Sequence, residues 1–177
     1  MSEHSKQYDN FEEMLVAAKT MGKFQSTHNI IRQDYIELLR ITEINKASDK
    51  SFDALYRASL RSLFSLIEAD IYGFNQLDQY SDYSDKDTFI AKFKETFKQI
   101  AKTWNKETIQ KKYFDSKLVG LKDLKKMRDE LVHPKEPGHI HKATEEDFEK
   151  LKSVFEDYDN FMNDLMNDFF LSTTIPF

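Results

Sequence analysis

"TEEDFEKLKSVFEDYDNFMNDLMNDF", running from Thr144 to Phe169, is the stretch whose reading decides the fold. Phe148, Leu151, Phe155, Tyr158, Met162, Leu165 and Phe169 recur at intervals of three and four residues. This period lays a single apolar seam along a helix, and such a seam packs against other helices in a bundle. Thr144 and Asp147 form a capping-box pattern at its start, where the threonine hydroxyl and the acid can satisfy the first free N–H groups.

Working outward, the same period recurs along the chain. Phe52, Leu55, Tyr56, Leu60, Leu63, Phe64, Ile67, Ile71 and Phe74 predict a long helix over 50–78. Phe89, Phe93, Phe97, Ile100 and Trp104 define another, with Ser84 and Asp87 as its expected capping box. Lys92, Lys94, Lys98 and Lys102 surround that aromatic stripe, so it could stack bases; a core stripe with snorkelling lysines is the favoured reading. A further helix is expected over 113–133, followed by the loop "HPKEPGHIHKA" with two prolines and a glycine. At the N-terminus, Gly22 and "QSTHN" divide two expected helices, 8–25 and 27–45, with Ser26 or Thr27 as the second N-cap.

Strand-type alternation is nearly absent, so the chain reads as one all-α domain, a helical bundle. Residues 1–47 form an N-terminal helical extension, 48–170 the core, and 171–177 an apolar tail. The ending "FFLSTTIPF" is expected to fold back onto the bundle or to dock on a second subunit.

There is no cysteine, which excludes disulfides and thiolate metal sites and suits a reducing compartment. No apolar run approaches the roughly 20 residues of a membrane span, and the first ten residues lack the apolar core of a signal peptide. A cytoplasmic protein without a membrane partner is the expectation. The net charge of −5 conceals an asymmetry: residues 86–135 hold 14 basic against 7 acidic side chains, whereas 144–168 hold 9 acids against 2 lysines. Two helices attracting each other through solvated faces account for this; a basic surface for phosphate backbones is the sharper alternative.

The stretch "MRDELVHPK", Met127 to Lys135, carries the chemistry. At about 100° per residue, Leu121, Leu124, Leu131 and Val132 share a sector with Arg128 near its centre. A buried guanidinium without partners costs several kcal/mol, so Arg128 should meet a carboxylate or line a polar cleft. Asp70 and Glu68 on the long helix are the candidates: the wheel favours Asp70 for a buried pair and Glu68 for a cleft. His133 precedes Pro134, which disfavours the α conformation and should end the helix there, freeing the imidazole to swing toward the guanidinium. Arginine binds phosphate as a planar fork and histidine titrates near neutral pH, a combination able to act on phosphodiesters.

Here the sequence resembles the HEPN superfamily of small α-helical domains. Its hallmark is an arginine, usually followed by a polar residue, with a histidine four to six residues further on. Arg128-Asp129-Glu130-Leu131-Val132-His133 fits that pattern, as do the "VHP" ending, the position before a final helix and the acidic upstream helix "SLFSLIEADIYGF". The likeness spans about residues 50–170 and implies a four-helix core. It also implies a metal-independent endoribonuclease without cofactor, of the kind found among toxins and phage-defence effectors. His133 would then be general acid/base, Arg128 would stabilise the phosphorane, and Asp129 would orient one or both. Products would be a 2′,3′-cyclic phosphate and a 5′-hydroxyl. A homodimer sharing one cleft, an RNA substrate held by Lys125, Lys126 and Lys135, and a cognate antitoxin protein are the implied partners. The family also contains non-catalytic members that bind a partner protein or nucleotide, and this stays the alternative. His133, His139 and His141 could in principle ligate a metal, but an ordinary surface loop is the favoured reading and no metal site is expected.

Overall fold

The computed structural model describes residues 8–140 and 142–167. Among these there are six α-helices and no strand: α1 (Phe11–Ile44), α2 (Asp49–Leu77), α3 (Phe89–Thr103), α4 (Glu107–Ser116), α5 (Leu118–Val132) and α6 (Glu145–Met166). The protein is an all-α helical bundle. No described helix is long and apolar enough to cross a membrane.

The first correction concerns α1, which is one helix of 34 residues rather than two. Asn10 caps it by accepting from Glu13 N–H at 2.9 Å, so neither Ser26 nor Thr27 does. Met21, His28, Tyr35 and Thr42 are buried at intervals of seven, with Phe24 beside them. This heptad stripe carries the helix straight through "QSTHN". Gly22 faces open space, so its roughly 1 kcal/mol helix penalty is tolerated without a break. The same stripe leaves Phe11 and Leu15 exposed.

α1 and α2 form an antiparallel hairpin: Thr42 meets Ser59 near the turn, and His28 meets Asp70 farther along. Gly73 sets the spacing there, because a Cβ at that position would lie 2.2 Å from the Phe24 ring. α6 lies against both helices and is fixed by the expected capping box, in which Asp147 N–H donates to Thr144 Oγ1 at 3.1 Å and Thr144 N–H to Asp147 Oδ2 at 2.9 Å. Its seam is buried from Phe148 to Leu165; Phe169 and the apolar tail lie outside the described residues.

α3 buries its aromatic stripe, Phe93 and Phe97 completely, so these rings serve the core. Its cap is Thr88, accepting from Ala91 N–H at 3.3 Å; Ser84 and Asp87 instead build the preceding turn. The helix expected over 113–133 is kinked into α4 and α5 at Lys117. α4 stacks Tyr113 on Phe161 at 4.4 Å, while α5 turns Leu118, Leu121, Leu124 and Leu131 into the core. Gly120 lets α5 cross α6, since an added Cβ would lie 2.9 Å from Val154.

Candidate nucleic-acid interface

Arg128 stands on α5 between the buried Leu124 and Leu131 and faces α2. Its guanidinium carbon is 6.0 Å from the centre of the Phe64 ring, close enough for cation–π attraction. Nη2 is 3.5 Å from Glu68 Oε1 and Nη1 is 3.3 Å from Asp129 Oδ1. Nε is sealed from solvent without a hydrogen-bond partner, although the side chain as a whole is 25% exposed. The arginine therefore sits at the rim of the core, held loosely by two carboxylates and not saturated by them.

Of the two carboxylates weighed for Arg128, Glu68 is the one it meets. Asp70 is fully buried and already engaged: His28 Nδ1 donates to its Oδ1 at 2.7 Å and Tyr158 O–H donates to its Oδ2 at 2.6 Å. Burial raises the Asp70 pKa, and the His28 and Tyr158 hydrogen bonds oppose that rise. Asp129 is half-exposed and also receives Lys125, four residues earlier on the same helix.

Arg128 opens onto a cleft of about 390 Å³ between α2, α3 and α5. Lys92 and Lys125 join Arg128 in its lining against the single acid Glu68. Tyr72, 64% exposed, and Tyr83 supply aromatic surface. Cations beside accessible rings can hold backbone phosphate and stack a base. Lys92 was legible only as one lysine of the α3 stripe, and neither tyrosine was foreseen; an aromatic off the core stripe of α2 is the signal that marks Tyr72.

His133 caps α5 with φ −128° and ψ 62°, outside the α region as Pro134 requires, and its N–H donates to Asp129 O at 2.9 Å. Its exposed imidazole makes no hydrogen bond or ion pair with a described residue, and it does not line the Arg128 cleft. Proline ends the helix as expected, but no hydrogen bond joins the imidazole to the Arg128 guanidinium and the ring is absent from the cleft lining. Lys126 and Lys135 are exposed and also lie off the cleft, leaving Lys125 as the one expected RNA-holding lysine that lines it.

The acidic face of α6 is partly neutralised within the molecule. Asp157 meets Lys117 at 3.0 Å, Asp159 takes a forked pair of bonds from Arg32, and Glu149 receives Lys46 at 3.0 Å. In the histidine loop, His139 pairs with Glu136 at 3.2 Å, and no cluster of three metal-ligating side chains exists among the described residues. His141 lies outside them.

No family model matches the chain, and no curated protein or solved structure matches it either.

Proposed function

We propose that the chain is a HEPN-like ribonuclease domain that grips single-stranded RNA in the Arg128 cleft. One observation carries this reading: an arginine with a sealed, unpartnered Nε stands beside Lys92, Lys125 and the exposed Tyr72 in a cleft of nucleotide dimensions. Its guanidinium offers a fork for phosphate once Glu68 and Asp129 yield.

For cleavage, the ribose 2′-hydroxyl loses a proton to His133 and attacks the adjacent phosphorus, while Arg128 neutralises the phosphorane. The protonated His133 returns that proton to the 5′-oxygen as the phosphorus–5′-oxygen bond breaks, giving a 2′,3′-cyclic phosphate and a 5′-hydroxyl. Because His133 of the same chain lies off the cleft, the imidazole comes from a second copy in a two-fold homodimer. A cytoplasmic toxin or defence effector restrained by a cognate antitoxin fits this chemistry.

The second reading is a non-catalytic module that binds a partner protein or nucleotide. The pairing of Arg128 with Glu68 and Asp129 favours it, since both can act as a structural brace. Incubation of purified protein with mixed RNA in EDTA separates the two. The ribonuclease reading expects fragments ending in cyclic phosphate that disappear with Arg128→Ala; intact RNA at every neutral pH leaves only the binding module.

A further inference from the structure

A second groove, of about 370 Å³, opens along the α1–α2 hairpin beside His28. His28 is only 4% exposed. Its Nδ1 is committed to Asp70, which Tyr158 holds in turn. The other ring nitrogen, Nε2, has no hydrogen-bond partner among the described residues, and His28 lines the groove. A carboxylate on Nδ1 fixes the tautomer, leaving Nε2 to accept a hydrogen bond when neutral or donate one when protonated. A buried ring anchored on one side and open on the other is built to meet something in the groove.

The lining says what. Lys23 is its one lysine or arginine, placed on the same helix as His28. The exposed Tyr72 offers a ring face, and Thr27 and Gln76 add hydrogen-bonding groups at the mouth. One cation and an imidazole suit a single phosphate, whereas accessible aromatic surface suits a flat base.

We propose that this groove is a nucleotide site, with His28 Nε2 and Lys23 on the phosphate and Tyr72 against the base. The assignment does not rest on cleavage by Arg128 and His133. Tyr72 also walls the Arg128 cleft, so the nucleotide is either free or one unit of a strand crossing that ridge.

The test follows the histidine ring signals of the full chain by NMR during titration with uridine monophosphate, a short single-stranded oligoribonucleotide, or inorganic phosphate. The His28 signal is assigned in the wild type through its contact with the Phe24 ring, 6.0 Å away between centroids, so no core variant is needed. Saturable movement of that signal is expected with a nucleotide ligand. Saturation by the monophosphate indicates a free nucleotide; saturation by the oligomer alone indicates a strand. Lys23→Glu, at an exposed position, should weaken binding about tenfold without lowering the melting temperature. The proposal is overturned if neither nucleotide ligand moves the His28 signal or if Lys23→Glu binds as well as the wild type. It also falls if inorganic phosphate binds as tightly as the monophosphate, which would leave an anion site without base recognition.

Discussion

His28 and Asp70 are separated by 42 residues in the chain and by 2.7 Å between Nδ1 and Oδ1, and Tyr158 closes the same carboxylate from α6. This junction ties three helices together through one buried acid. Removing the acid leaves two polar groups facing hydrocarbon, whereas removing a surface charge leaves them facing water. Asp70→Ala should therefore cost roughly 3 kcal/mol, read from the midpoint of urea unfolding. Loss of less than about 0.5 kcal/mol, the range of ordinary surface changes, would show that the junction is not stabilising.

The same acid makes a signed prediction about pH. Burial lifts the Asp70 pKa above its ordinary 3.8, against the pull of His28 and Tyr158 and with help from Asp159. The folded state then binds the proton more tightly than the unfolded state. Stability contributed by this group is thus present at low pH and is lost as pH rises from 3.8 through the raised value. Asp70→Asn cannot titrate. Its stability deficit relative to wild type should shrink across that window, and unfolding curves collected at successive pH values would reveal a deficit that grows instead.

The junction also shows what was legible in the sequence. The apolar seams of α2, α3 and α6 were visible because Phe, Leu and Ile announce a buried face directly. The seam of α1 was not, because two of its heptad positions are His28 and Thr42, which look like loop or cap residues until their partners Asp70 and Ser59 are in view. Gly22 and "QSTHN" consequently read as a break. Arg128 was recognisable as an inward cation from its flanking leucines. Its choice of Glu68 over Asp70 was not, since that choice depends on what α1 and α6 offer to Asp70. The kink at Lys117 likewise comes from tertiary packing of Tyr113 on Phe161.

Gly73→Ala tests the close approach that creates the junction. The added methyl would lie 2.2 Å from Phe24 Cδ2, and Phe24 is itself packed against Phe74 with centroids 4.5 Å apart. The ring has little room to retreat, so overpacking should cost about 1–3 kcal/mol despite the better helix propensity of alanine. Gly22→Ala, facing open space on α1, should instead stabilise by a few tenths to about 1 kcal/mol. Thermal unfolding of the two variants side by side distinguishes packing from propensity, and equal shifts would refute the close-contact account.

If RNA lies in the Arg128 cleft, its affinity should respond to salt according to the cations that line it. Three side chains, Lys92, Lys125 and Arg128, predict a slope of log affinity against log salt near −2 for a single strand. Lys92→Ala should reduce its magnitude by about 0.7, while Lys126→Ala and Lys135→Ala, off the cleft, should leave it unchanged. Glu68→Gln removes the acid competing for the guanidinium and should strengthen binding a few-fold, within the modest worth of an exposed pair. Fluorescence anisotropy with a labelled oligomer measures all four; a slope lost through Lys135→Ala rather than Lys92→Ala would move the RNA to another face.

The absence of His133 from the lining of the Arg128 cleft gives the ribonuclease proposal its sharpest consequence. If each working site combines the arginine of one copy with the histidine of the other, Arg128→Ala and His133→Ala are each inactive as homodimers. Mixed and allowed to exchange subunits, they form heterodimers in which one of the two sites again holds an intact arginine and an intact histidine. Random pairing makes half the dimers heterodimeric, so activity should return to about one quarter of the wild-type level. A site contained in one chain cannot be restored this way, because every chain in the mixture still lacks one of the two groups. Cleavage in EDTA by the mixture, compared with either variant alone, decides the matter. If both variants are inactive and their mixture stays silent after exchange is verified by mass, the shared-site mechanism is wrong.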